Sequence, residues 1–332
     1  MGIVTIKDKS VTPKYKQIVA SVEDAIVNGS LKKGDKLPSL NSIKNQYSLS
    51  RDTVLTAFNE LKTRGIIQSV VGKGYYVLSE DIDVNQKIFL LFDEFNSFKE
   101  DLYNSFTACL GENVQVNIFF HHFNLDVFNK LINDNSGHYS YYVIMPANLK
   151  GTENVINRLP YGKVYILDQT HSELIDYPSI YQNFKKDIYE GLQDGLKQIK
   201  KYQKIILLYN EERQPEGILE GFNLFCAQYG IQNKIINTLT DRELFKGELY
   251  IILDDKNLIR IIKRIKDEHL ILAKDIGIIS YNDTLLKEIV EGGITTISTN
   301  FNLMGERLAE MILNSEFAQV ENPNRLILRK SL

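Results

Sequence analysis

The stretch that decides the fold runs from residue 50 to residue 78, SRDTVLTAFNELKTRGIIQSVVGKGYYVL. Val54, Ala57, Phe58 and Leu61 recur at the spacing of a helix with one apolar stripe, and Ser50 stands where an N-cap belongs. Arg64-Gly65 supplies a basic last turn and a C′ glycine, so the helix ends there. Two β-type runs follow, Ile66 to Val71 and Tyr75 to Leu78, around Gly72-Lys73-Gly74, whose glycines permit positive φ at a hairpin tip. Upstream, Tyr15, Ile18, Val19, Val22 and Ile26 share one face of a predicted helix over 14–28, opened by Pro13 and closed near Gly29. After a turn at Lys33-Gly34-Asp35, Pro38-Ser39 offers a stop and an N-cap for a short second helix marked by Leu40, Ile43 and Tyr47. The predicted order over residues 1–78 is three helices and then a wing.

Charge divides the chain at the same place. Residues 1–78 carry 12 Lys+Arg against 6 Asp+Glu, a net of +6, while the rest carries 27 against 36, a net of -9. A basic head on an acidic body suits a polyanion partner for the head alone, because the body repels phosphate. The helix that begins at Ser50 also has the division of labour a recognition helix needs: an apolar stripe to fix it, and polar or cationic residues in its first turn. Ser50, Arg51 and Thr53 are placed to face a major groove, with Arg51 the foremost base-contact candidate. Lys73, on the glycine-flanked tip, is placed to reach a backbone or minor groove; the plainer reading makes it a surface lysine on a turn.

Residues 79–86, SEDIDVNQ, are short, acidic and polar, and are read as the linker. Beyond them, apolar runs recur at Ile88 to Phe92, Val114 to Phe120, Tyr141 to Met145, Val164 to Leu167, Ile205 to Tyr209, Leu249 to Leu253 and Ile276 to Ser280, with helical stretches between. Such alternation over residues 87–332 predicts parallel sheets covered on both faces, in two lobes. In α/β sensors of this kind ligands lie at the carboxyl ends of strands. Four of these runs end in acids: Asp93-Glu94, Asp168-Gln169, Asp254-Asp255 and Tyr281-Asn282-Asp283. Each acid is equally placed to cap the helix that follows; together they offer many acceptors for hydroxyl groups, with Phe98 and Phe301 available to stack on a sugar ring. The candidate ligand residues are therefore Asp93, Phe98, Asp168, Asp254, Asn282, Asp283 and Phe301.

The head resembles the winged helix-turn-helix domain of the GntR family of bacterial regulators. The resemblance covers residues 13–78 and is carried by Pro13 with the first helix, LKKGDKLPS at 31–39, SRDTV at 50–54, Leu61 to Ile67 and GKGYYV at 72–77. It implies DNA contacts at Ser39, Asn41, Ser50, Arg51, Thr53 and Gly72. Asn41 stands where an arginine is usual, and Leu55 replaces a frequent arginine. The body, across roughly 87–330, resembles the effector domain of the LacI family, itself similar to periplasmic sugar-binding proteins, above all in DIGIISYNDTLLKEIVEGGITTISTNFNLMG at 275–305. That resemblance implies ligand contacts at Asp168, Asp254, Asn282 and Phe301. An arginine expected three residues before Gly221 is replaced by Ile218, for which Arg213 is a candidate substitute. The pairing is similar to regulators of the arabinose-repressor type. It implies a homodimer on double-stranded operator DNA, released by a monosaccharide such as L-arabinose or L-fucose that closes the lobes.

Other classes find less support. No run reaches the eighteen or so apolar residues of a membrane helix, and the first ten residues lack the pattern of a signal peptide, so a cytoplasmic protein is expected rather than an extracytoplasmic binding protein. Cys109 and Cys226, far apart and outside any metal-ligand spacing, are expected to be plain buried thiols. His121-His122, His138, His171 and His269 likewise lack metal spacing, and neither a metal nor a cofactor is expected. Gly72-Lys73-Gly74 is no phosphate-binding loop, since no GKS or GKT follows. The expectation is a non-enzyme; the alternative is a carbohydrate-acting α/β enzyme bearing a DNA-binding head.

Overall fold

The structure, a computed structural model, describes residues 3–7, 10, 12–84, 86–240 and 242–332; Asn85, within the expected linker, lies outside the described residues. The three predicted helices form as α1 (Lys14–Val27), α2 (Leu40–Gln46) and α3 (Arg51–Thr63). Ser39 caps α2 by accepting from the Ser42 amide at 3.1 Å, and Ser50 caps α3 by accepting from the Thr53 amide at 3.1 Å. Each cap satisfies an amide that a helix start leaves open. α1 packs on α3, and Ile18, Val22, Val54, Phe58 and Leu61 are fully buried in the core they share.

The wing is the antiparallel pair β1 (Ile67–Val70) and β2 (Gly74–Val77). Gly72 and Gly74 turn it with φ of 71° and 108°, values a side chain would strain. The segment read as a bare turn does more: the Gly34 amide donates to Val77, the Val77 amide to Asp35 and the Leu37 amide to Tyr75, all at 2.9 Å. The wing is therefore held to the strand-like approach of α2.

The body alternates as expected through β3 (Gln86–Phe92), α4 (Ser97–Cys109), β4 (Val114–Phe120), α5 (Leu125–Asn135), β5 (Tyr141–Ile144), α6 (Glu153–Ile156) and β6 (Val164–Asp168). There follow β7 (Ser179–Tyr181), α7 (Phe184–Asp194), α8 (Leu196–Ile199), β8 (Lys204–Leu208), α9 (Glu216–Tyr229), β9 (Gln232–Ile236), β10 (Glu248–Ile252) and α10 (Asp255–Asp267). The chain ends with β11 (Ile276–Tyr281), α11 (Leu285–Ile289), β12 (Thr295–Thr299), α12 (Phe301–Leu313), β13 (Gln319–Glu321) and β14 (Asn324–Ile327). One six-stranded sheet has the order β14-β12-β11-β10-β8-β9, parallel apart from β14 against β12. The other has the order β13-β7-β6-β5-β3-β4, and its described pairings are parallel. Fully buried runs such as Ile205 to Leu207 and Leu249 to Ile252 explain the parallel pairing, since both faces are covered.

By packing, the chain divides into two compact units. The first holds Met1–Phe92, Leu110–Ile144 and Gly151–Tyr165; the second holds Asp93–Cys109, Met145–Lys150 and Ile166–Leu332. In the second unit α12 lies unusually close to α4: a Cβ on Gly305 would meet the Leu102 carbonyl at 2.4 Å, so only glycine fits the crossing. Among the described residues no helix is long and apolar enough to cross a membrane. One expectation fails: Cys226 is buried, and burial pushes its thiol up to about 12, but Cys109 is exposed, because it ends α4 beyond that helix's last buried position, Phe106.

Candidate functional site

The residues expected to face DNA lie at the surface of the head. Ser39, Asn41, Ser50, Arg51, Gly72 and Lys73 are exposed and Thr53 is half-buried. Ser50 and Thr53 also join hydroxyl to hydroxyl at 2.8 Å, so both serve the start of α3 before they meet anything else. Arg51, at the first position of that helix, is exposed beside amides whose dipole favours a phosphate. Val71 is 99% exposed beside the wing tip, an apolar residue the charge argument passed over.

The second unit holds a polar cluster at strand ends. Asp93, just past β3, forms an ion pair with Lys99 in the first turn of α4, and both are buried. Asp168 ends β6 with φ of 71°, a left-handed conformation uncommon outside glycine, asparagine and aspartate. Its Oδ1 accepts from Gln182 Nε2 at 2.5 Å, just past β7, and its carbonyl accepts from the Gln182 amide at 2.9 Å. Burial, reinforced by Asp93, raises the Asp168 carboxyl against the opposing pull of Lys99 and of the Gln182 bond. Asp187, on α7, is buried and pushed up to about 7, by burial first and then by Glu321. Tyr281, at the end of β11, is raised by burial and by the charges of Asp187 and Asp168.

The feature common to this cluster is unfilled hydrogen-bonding capacity. Gln182 Oε1, Asp187 Oδ2, Tyr281 OH and Asn282 Oδ1 are all buried with no hydrogen-bond partner among the described residues. Leaving such a group unmatched costs about 1–3 kcal/mol, so each of the four calls for a ligand or water; Gln182 is tied to them through Asp168, and Asp168 and Asp187 both act on the Tyr281 hydroxyl. Asn282 has its backbone in the left-handed region, φ 59°, and its carbonyl, like that of Tyr281, accepts from the buried ammonium of Lys287 at 2.7 and 2.8 Å. Phe98, whose ring centroid lies 5.9 Å from the Lys99 ammonium, stacks on Phe301, centroids 4.8 Å apart, an apolar wall brought together by the close crossing of α4 and α12. Acceptors, a hydroxyl and an aromatic wall are what a polyhydroxylated ligand requires.

Residues 14–77 match the profile of the bacterial regulatory proteins of the gntR family, and residues 199–332 that of the periplasmic binding protein-like domain. The HTH-type transcriptional repressor YtrA of Bacillus subtilis (strain 168) is 33% identical over 100 residues, which cover 30% of this chain and 73% of YtrA. The chain belongs to the GntR family of bacterial regulatory proteins. The regulator is also 36% identical over 72 residues to the arabinose metabolism transcriptional repressor of Geobacillus stearothermophilus, covering 22% of this chain and 20% of that one; the chain thus spans a fifth of that relative's length and 14% of another curated regulator's. A crystal structure of a LacI family transcriptional regulator from Enterococcus faecium with bound ribose is 19% identical and superposes with a TM-score of 0.61, covering 74% of this chain and 98% of that one. The fold is therefore a helix-turn-helix head followed by a LacI-like, periplasmic-binding-protein-like α/β body.

Within this GntR-family regulator the remaining strand-end acids are already employed. Asp254 caps α10, accepting from the Asn257 amide at 2.9 Å and from its side-chain amide at 2.8 Å. Asp283 receives both ends of the Arg329 guanidinium, at 2.6 and 2.7 Å, and the Thr296 hydroxyl at 3.0 Å. Burial would raise the Asp283 carboxyl, but these bonds outweigh it and hold it below the usual range. Arg213 lies 3.6 Å from Glu94 and is largely exposed. Lys99, Gln182 and Asp187 were missed in the sequence, and Tyr281 was noted only as part of a strand end. A lysine in a first helical turn, where acids are favoured, was the one local signal of the Asp93 pairing.

Proposed function

We propose that this regulator binds operator DNA through its head and releases it when a monosaccharide occupies the polar cluster of the second unit. The single observation that carries the sensor half is the set of buried, unpartnered polar atoms on Gln182, Asp187, Tyr281 and Asn282 beside the Phe98–Phe301 wall. Asp93 and Asp168 belong to the same site, whereas Asp254 and Asp283 shape its surroundings through the cap and the Arg329 pair. L-Arabinose and L-fucose are the first effectors to test, the former because of the named arabinose repressor among the relatives.

On the DNA side Arg51 reads a base edge, Ser39, Asn41, Ser50, Thr53 and the amide of Gly72 hold register, and Lys73 adds a salt-sensitive phosphate contact. Two heads in a homodimer would read half-sites about 34 Å apart, so the operator should be nearly palindromic. Sugar and DNA then oppose each other by a coupling free energy no larger than the sugar's preference for the released state, typically about 5–150-fold in affinity.

The test is fluorescence anisotropy with the full chain on a duplex selected from a random pool. The expected result is a preference of about 10³-fold or more over random competitor, lost in part when sugar is added. No preference for any duplex would refute the DNA half. A preference untouched by every monosaccharide would refute the sensor half.

A further inference from the structure

The charges around the polar cluster select among sugars. Two carboxyl groups, Asp93 and Asp168, flank one ammonium, Lys99, which is committed to Asp93, and a third, Asp187, acts together with Asp168 on the Tyr281 hydroxyl. Asp168 is met by a neutral amide, Gln182. Asp187 faces Tyr281 from β11, Glu321 from β13, and Lys186 and Glu190 from its own helix. Lys186 does not neutralise it, because its ammonium turns to Glu321 at 2.6 Å, and Glu321 accepts from Asn183 as well at 3.1 Å. Two further cations near these strand ends are taken too: Arg329 by Asp283, and Lys287 by Asp255 at 2.9 Å and two carbonyls.

Resting on the sugar-sensor reading, we propose that this cluster is built for an uncharged polyol and rejects phosphorylated and carboxylated sugars, with Asp187 presenting a protonated carboxyl to a ligand hydroxyl. A phosphate entering here would meet carboxyl groups and find its potential partners already paired. An ammonium ligand is disfavoured for the complementary reason: burial keeps the Asp187 and Asp168 carboxyls toward their neutral forms, the latter against the pull of Lys99. Gln182 Oε1 and Asn282 Oδ1 can only accept, so a ligand that both donates and accepts needs donors opposite them. A protonated Asp187 is one, and the Tyr281 hydroxyl is another.

The consequence is a proton-linked affinity. Sugar binding is constant below about pH 7, where Asp187 holds its proton, and falls about tenfold per pH unit above it. The experiment is a thermal-shift and calorimetric panel on the full chain: L-arabinose, L-fucose, D-ribose and D-galactose as uncharged probes, D-ribose 5-phosphate and D-galacturonate as anions, and D-galactosamine as a cation. Stabilisation by uncharged members, with their charged counterparts weaker by ~100-fold, is the expected result. A charged member that binds as well as its uncharged counterpart overturns the inference and leaves the sensor reading standing. If no member binds, the sensor reading falls and the inference falls with it.

A second arm isolates Asp187. For the sugar that binds, affinity in the parent chain should drop about tenfold between pH 7.5 and 8.5, and in Asp187→Asn by less than twofold. An unchanged slope in the variant overturns the role of Asp187. Should the variant fail to fold, titration of the parent chain at pH 8 in buffers of different ionisation enthalpy reads the same quantity. Uptake approaching one proton per sugar supports the proposal, and zero uptake overturns it.

Discussion

Replacing Arg64 by alanine should loosen the connection between the third helix and the chain that leads into the body. The Arg64 side chain, 9% exposed, pairs with Glu23 of α1 at 2.6 Å, while its Nε donates to the Val84 carbonyl and its Nη2 to the Ile82 carbonyl, each at 2.9 Å. One guanidinium thus ties the end of α3 both to α1 and to the stretch read as a linker. A buried hydrogen bond to a charged group is worth ~1.5–3 kcal/mol, but Ile82 and Val84 are half-exposed and Glu23 is 22% exposed, so water repairs part of each loss. The loss for all three contacts together should be about 2–3 kcal/mol, a 30- to 150-fold rise in the population of the detached linker. Limited proteolysis under native conditions reads that population directly when closing is faster than cleavage. Cleavage within residues 79–84 should accelerate by that factor in Arg64→Ala, and by less in Arg64→Lys, which keeps a charge but lacks the fork. The response of DNA affinity to sugar should shrink in the same variant, since a detached linker transmits no preference. Cleavage rates within twofold of the parent chain would refute the claim that this arginine fixes the linker.

Three further outcomes are expected. Arg51→Ala should weaken specific operator binding by about 1–3 kcal/mol and relax the sequence preference at one base pair, whereas Lys73→Ala should weaken all duplexes alike and lower the salt slope by about one; titrations at several salt concentrations separate the two. Asp168→Ala should cost about 1–3 kcal/mol of sugar affinity, by leaving Gln182 without its acceptor, with operator binding unchanged in the absence of sugar; normal sugar binding by calorimetry would remove Asp168 from the site. Between about pH 4 and pH 7 the folded chain keeps a proton on Asp187 that the unfolded chain has released, so this group's contribution is fully present at acid pH and is lost as pH rises to about 7. Urea unfolding of Asp187→Asn against the parent should show the variant gaining relative stability across that window, and parallel pH curves would contradict the assignment.

The head was legible because its determinants are local. A serine before a helical stripe is a cap whatever surrounds it, and Ser39 and Ser50 cap as read; a glycine-flanked tip needs positive φ, and Gly72 and Gly74 adopt it. The fully buried strands were legible for the same reason. The strands left unread, β7, β9, β12, β13 and β14, are short or lie toward sheet edges, or, like TTIST of β12, bury hydroxyls that find partners only in three dimensions: Thr295 in Arg329, Thr296 in Asp283, Thr299 in Pro323.

The ligand residues divide along the same line. Asp168, Asp254 and Asp283 carry one and the same local signature, an acid after a buried strand, and the sequence offers no means of ranking them. What separates them is set elsewhere in the chain. Asn257 consumes Asp254 from within its own helix, and Arg329 consumes Asp283 from 46 residues away. Asp168 is left with a single neutral donor, and it shares the neighbourhood of Tyr281 with a second carboxyl, Asp187, that has no strand-end signature at all. An acid whose bonds are complete shapes a site, and an acid with capacity unfilled waits for a ligand. By that criterion the sugar should feel substitutions at Asp168 and Asp187 through its own hydrogen bonds, and those at Asp254 and Asp283 only through a shift of α10 or of the loop after β11.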